Sequence, residues 1–73
     1  MKVIKFDRHA RRRMKWRKIS EEEVISVLTQ PDNKESTSNN RMNAYKKING
    51  EIIKVTFNET KEEIYVITAV IKK

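Results

Sequence analysis

Apolar residues fall in short separate runs along the chain, and each run has the period of one element. Val3, Ile4 and Phe6 make a stretch that predicts a first strand. Asp7 then stands at an N-cap position and opens a helix over about residues 8 to 18. In it Ala10 and Met14, four apart, form a narrow apolar face with Phe6 leading in. Ser20-Glu21-Glu22-Glu23 has the spacing of a capping box, with Ile19 and Val24 at the hydrophobic-staple positions, so a second helix begins there. Val24, Ile25, Val27 and Leu28 supply its core face, and Pro31 ends it.

The stretch from Pro31 to Asn40 is polar and rich in turn formers, and is expected to be the one long loop. RMNAYKKI and EIIKVTFN flank Asn49-Gly50, a dipeptide that favours a two-residue type I′ hairpin. Counting outward from it pairs Met42 with Phe57, Ala44 with Val55 and Lys46 with Ile53 on the face that should take the helices. Asn43 with Thr56, Tyr45 with Lys54 and Lys47 with Ile52 fall on a polar, basic and aromatic face. Residues 64–71, IYVITAVI, are apolar on both sides, as in a central or covered strand. A four-residue loop from Glu59 to Glu62 puts Tyr65 and Ile67 on the open face; one further loop residue puts Thr68 there instead. The expected fold is α+β, in the order β-α-α-β-β-β: a single domain over residues 1–73, with two N-terminal helices packed on one face of a small, mainly antiparallel sheet.

Charge changes this picture. Of seventeen Lys and Arg residues nine lie at or before Lys18, against Asp7 alone, while residues 19–73 carry eight basic and nine acidic side chains. The net charge of +7 is therefore one N-terminal patch, and such a field attracts polyanions. Glutamates at the start of the second helix and cations at the end of the first suit the helix dipoles, but that accounts for two or three cations, not nine. With no cysteine and one histidine the chain offers neither a disulfide framework nor a zinc ligand set, and no metal site or other cofactor is expected. No apolar run approaches the roughly 18 residues that span a bilayer, and the N-terminus lacks a signal-peptide core. A cytoplasmic protein without membrane contact is expected.

HARRRMKWRKISEEEV, followed by a Pro near the helix end, a Tyr-containing strand, a tight turn, a strand with a central Val and a final V-I-T strand, resembles the bacterial domain of unknown function 4258. His9-Ala10, Arg13-Met14, Arg17 and Ile19-Ser20 fit that family's opening position by position, and Lys18 stands where it usually has a glycine. In element order the family is similar to bacterial toxins of the RelE and BrnT type, ribonucleases neutralised by a cognate antitoxin. The resemblance implies a compact RelE-like fold that works without metal, with functional residues on the sheet and an adjoining helix.

Metal-independent RNA cleavage needs a group to take the 2′-OH proton, one to protonate the 5′-oxygen, and fixed cations for the phosphorane's charge. His9 is the candidate acid or base. Lys54, beside Tyr45 and near Lys47, stands where like charge favours the neutral amine a base requires. Arg13 presents a forked donor to phosphate, and Tyr45 completes the expected catalytic group. Arg12, Trp16, Arg17, Arg41 and Lys47 are expected to bind RNA, with Tyr45 or Trp16 stacking a splayed base. Plainer roles compete with each: a helix-orienting His9, salt-bridged arginines, an ordinary Tyr45–Lys54 cross-strand pair, a partly buried Trp16. The expected activity is a toxin-like endoribonuclease acting on mRNA or ribosome-associated RNA and held by an antitoxin. The alternative is a non-catalytic RNA-binding or protein-interaction module on the same fold.

Overall fold

Asn49 and Gly50 both adopt positive φ, 52° and 83°, as the two central residues of a type I′ turn must. The computed structural model describes residues 2–37 and 39–72. In it this turn joins β3 (Arg41–Ile48) to β4 (Glu51–Glu59). The register is the one counted from the sequence: Met42 opposite Phe57, Ala44 opposite Val55, Lys46 opposite Ile53, and Tyr45 opposite Lys54. Before the hairpin come β1 (Val3–Phe6), α1 (Arg8–Trp16), α2 (Glu21–Thr29) and β2 (Asn33–Ser36); after it comes β5 (Glu63–Lys72).

The sheet order is β1-β5-β4-β3-β2, which corrects the expected architecture in two respects. First, β1 runs parallel to β5, with Val3 opposite Glu63 and Phe6 opposite Val66, so the sheet is mixed. The crossover between these two strands is nearly the whole chain, as a parallel pair allows and a hairpin does not. Second, part of the expected loop is a strand, and the order is β-α-α-β-β-β-β. All four residues of β2 are exposed, so no apolar alternation marks it. Polar contacts hold it to β3 instead. The Asp32 N–H donates to the Tyr45 carbonyl, the Lys47 N–H donates to Asp32 Oδ2, and Glu35 Oε1 accepts from the Tyr45 hydroxyl and from Asn43 Nδ2. Asn39 and Asn40, both at positive φ, carry the turn that brings β2 back to β3.

Ala10 and Met14 of α1 and Val24, Val27 and Leu28 of α2 are buried against Ala44, Ile53, Val55, Phe57, Val66 and Ala69, so both helices cover one face of the sheet. Ile25, expected in the core, is exposed at the flank of α2. Burying a side chain such as Phe57 or Met14 stabilises the fold by about 1.5–3 kcal/mol. The opposite sheet face carries no helix. There β5 realises both readings of its register, because Thr56 pairs with Thr68 but Phe57 pairs with Val66. The extra residue, Ile67, is a bulge, and it brings Tyr65 on one side and Thr68 on the other to the same open face.

Helix α2 begins with the full capping box: Ser20 Oγ accepts from the Glu23 N–H, and Glu23 Oε1 accepts from the Ser20 N–H. Asp7 holds the N-cap position of α1 with no side-chain cap bond. Helix α1 ends at Trp16, two residues short of expectation, in a Schellman motif. The Ile19 N–H donates to the Met14 carbonyl at 2.8 Å and the Lys18 N–H to the Lys15 carbonyl at 3.2 Å. Lys18 has φ 59°, the left-handed conformation that a glycine takes without a Cβ clash. The buried pair Met14 and Ile19 closes the motif. No helix among the described residues is long and apolar enough to cross a membrane.

Two consequences are measurable. Lys18→Gly relieves the left-handed strain and should raise stability by about 1 kcal/mol, while Lys18→Val should lower it by at least as much; urea denaturation reads both, and equal midpoints would remove the strain argument. The second concerns the clasp on β2. Hydrogen bonds from Tyr45 and Asn43, with the charges of Lys54 and Lys72, hold Glu35 below its ordinary value of 4.5, and the bond to Glu35 holds Tyr45 above its ordinary 10.0. A lowered carboxyl contributes stability that is complete above 4.5 and lost as pH falls through the folded value. A raised phenol contributes stability that is complete below 10.0 and lost as pH rises through the folded value. Glu35→Gln should therefore flatten both limbs of a stability–pH curve, and unchanged limbs in this variant would show that the clasp contributes nothing.

Candidate nucleic-acid interface

With Ala10 and Met14 turned into the core, helical geometry fixes where the rest of α1 points. His9, Arg12, Arg13 and Trp16, at relative positions 0, 3, 4 and 7, share one flank and with Lys15 line a single hollow. All five are exposed, and Trp16 retains 84% of its accessible surface. Among the described residues Arg8, Arg12, Arg13 and Lys15 have no acidic partner. Arg11, on the other flank, is different: Nη1 lies 2.7 Å from Glu21 Oε2 and its guanidinium sits over the Phe6 ring. One ion pair thus connects the glutamates of α2 to the cations of α1. The flank bearing His9 keeps its full positive field.

Arg17 continues the His9–Arg13 spacing, but its Nη1 donates to the Ala69 carbonyl at 3.0 Å, on a part of β5 beyond the reach of β1. Its visible role is to satisfy that strand, in a half-buried position.

The remaining candidates lie on the sheet. Tyr45 and Lys54 are cross-strand partners on the open face, as expected, and a carboxylate stands beside them. The Glu35 carboxylate lies close enough for the charges of Lys54 and Lys72 to stabilise it, and it engages the Tyr45 hydroxyl. Lys72 Nζ stands 5.6 Å from the centre of the Tyr45 ring. Asn43, 6% exposed, extends the network by accepting from the Thr56 hydroxyl at 2.7 Å while donating to Glu35. Buried Asn58 Oδ1 and Thr68 Oγ1, on either side of the bulge, have no hydrogen-bond partner among the described residues. Lys47 lines a hollow with Tyr45, Ile52 and Lys72 at the hairpin end, whereas Arg41 lies at the other end of β3, in a separate hollow beside Asn58 and Thr60.

The nine candidates therefore do not form one constellation. His9, Arg12, Arg13 and Trp16 come together on α1; Tyr45, Lys54 and Lys47 come together on the sheet; Arg41 stands apart and Arg17 turns inward. No hydrogen bond, ion pair or shared hollow among the described residues links the α1 group to the sheet group. Glu35 is the residue of the sheet network that sequence reasoning missed, because nothing in a wholly polar segment announced a strand. Among the described residues no three His, Cys, Asp or Glu side chains gather as a metal ligand set. Chemically, the α1 flank offers forked phosphate donors, one imidazole and a free aromatic face. The sheet group is an aromatic and lysine surface already occupied by an internal carboxylate.

No curated protein and no solved structure gives a match to the chain. Residues 6–71 match the family model described as Domain of unknown function (DUF4258), a range that runs from the last residue of β1 through both helices, β2, β3 and β4 to the penultimate residue of β5, and the chain belongs to that family.

Proposed function

We propose that this protein binds RNA, through the exposed flank of α1. The observation that carries this reading is the convergence of Arg12, Arg13, His9 and Trp16 on one helix flank where, among the described residues, no acidic side chain pairs with them. Exposed cations alone are ordinary on a surface. An unpaired cluster that also leaves the chain's only tryptophan in solvent forfeits both charge compensation and apolar burial, and a polyanion with aromatic bases supplies both at once. Arg12 and Arg13 contact phosphates, and Lys15 and Arg8 add to the field that steers the strand inward. Binding should weaken with salt, log K falling with log salt by about 0.7 per phosphate neutralised. Arg12→Ala and Arg13→Ala should each shallow that slope by about 0.7, while Lys34→Ala, on β2, leaves it unchanged. A flat salt dependence measured by fluorescence anisotropy would rule out the reading.

A second reading, metal-independent cleavage by a toxin-like endoribonuclease held by an antitoxin, is favoured by one specific observation: His9 shares the hollow with Arg12 and Arg13. It also takes up the resemblance to toxins of the RelE and BrnT type. In it the 2′-oxygen attacks phosphorus, its proton passes to a base, and the P–O5′ bond breaks as the 5′-oxygen takes up a proton, with His9 serving one of the two transfers. The products carry 2′,3′-cyclic phosphate ends and form in the presence of a chelator. His9→Ala should slow cleavage by roughly 10²–10⁴-fold while changing affinity far less. RNA left intact, with and without ribosomes, leaves the protein as a binder only.

A further inference from the structure

Resting on the RNA-binding reading, we infer that the ligand is single-stranded and that Trp16 stacks on an unpaired base of it. Trp16 is the last residue of α1 and has no structural task. The Schellman motif that ends the helix uses Met14 and Ile19, and the core takes Ala10 and Met14. Among the described residues the indole ring stacks on nothing and its N–H finds no acceptor. A side chain of this size is rarely left so bare.

Its position relative to the arginines indicates what covers it. Trp16 lies one helical turn beyond Arg12 and Arg13, about 4.5–6 Å along the axis, in the same hollow. Phosphates held by the two guanidinium groups therefore keep the adjoining nucleotide within reach of the ring. In a duplex that nucleotide's base is paired and stacked between its neighbours, and an A-form helix presents backbone, 2′-hydroxyls and base edges but no open base face. A single strand can turn the base out, and because every base has a π face the stacking carries little sequence preference. A membrane fits the same flank poorly: insertion of a cationic helix needs a free apolar face, and α1 has already buried its own.

The chain's single tryptophan makes the test direct. Intrinsic fluorescence of the intact protein is followed during titration with a mixed-sequence single-stranded RNA 12-mer and, separately, with the same strand annealed to its complement. The single strand should quench and shift the emission, and the duplex should bind with little change in it. By anisotropy, Trp16→Ala should lower affinity for the single strand by roughly 5–100-fold, the stacking of one base. Duplex affinity and the salt slope should be unaffected, Trp16→Phe should recover most of the loss, and circular dichroism reports whether each variant is folded. Equal quenching by both forms, or unchanged single-strand affinity in a folded Trp16→Ala protein, overturns this inference and leaves RNA binding standing. Binding of neither form overturns the RNA-binding reading and this inference with it.

Discussion

The structure depends on the docking of a helix too short to exist alone. Helix α1 has nine residues, below the roughly 12–15 at which an isolated helix becomes even marginal in water, and its sequence is mostly cations that repel one another. Two buried side chains, Ala10 and Met14, hold it, supported by Ile19 folding back over its end. Once those two positions face the core, every other side chain of α1 has its direction set. Arg11 meets Glu21 of α2, Arg17 reaches the Ala69 carbonyl, and His9, Arg12, Arg13 and Trp16 are left facing solvent together.

The same constraint sorts the seventeen basic residues into kinds that sequence position does not separate. Some act within the fold. Lys2 and Lys5 pair with Glu59 and Glu63 along the β1 edge, Arg11 with α2, and Arg17 with a strand carbonyl. Exposed ion pairs of this kind contribute little stability each, on the order of 0–1 kcal/mol, so their principal effect is to remove positive potential from the edges they occupy. Of the cations of α1, Arg12, Arg13 and Lys15 are left together around one hollow. Patchiness of charge therefore arises from neutralisation elsewhere as well as from the run of arginines itself.

The open face of the sheet follows a different logic. Helices cover only one side, and the other side is finished by a hydrogen-bonded row that crosses β2, β3 and β4 through Glu35, Asn43 and Thr56, with Thr68 of β5 next in register. That row fastens the all-exposed edge strand β2 to its neighbour, and it engages the Tyr45 hydroxyl in doing so. Tyr45 thus has structural work even without a ligand. Among the described residues Arg12, Arg13 and Trp16 of α1 have no comparable internal partner.

How much of this was legible depended on the range of the interactions concerned. The capping box of α2, the Asn49-Gly50 turn with its eight-residue register and the placement of His9 and Arg13 on one helix flank could be read from the chain, because each rests on residues within a few positions of one another or on a turn that fixes a count; the departure of Arg17 from that flank could not. The family was legible in the same way, from the spacing of His9, Arg13 and Arg17. Tertiary structure alone decided the rest: that β1 joins β5 in parallel, that a polar stretch becomes β2, that Ile67 bulges and brings Tyr65 and Thr68 to one face, and that Glu35 answers Tyr45 and Lys54. Those outcomes are settled by backbone ladders and side-chain contacts between segments distant in sequence, whose free energy no local pattern records.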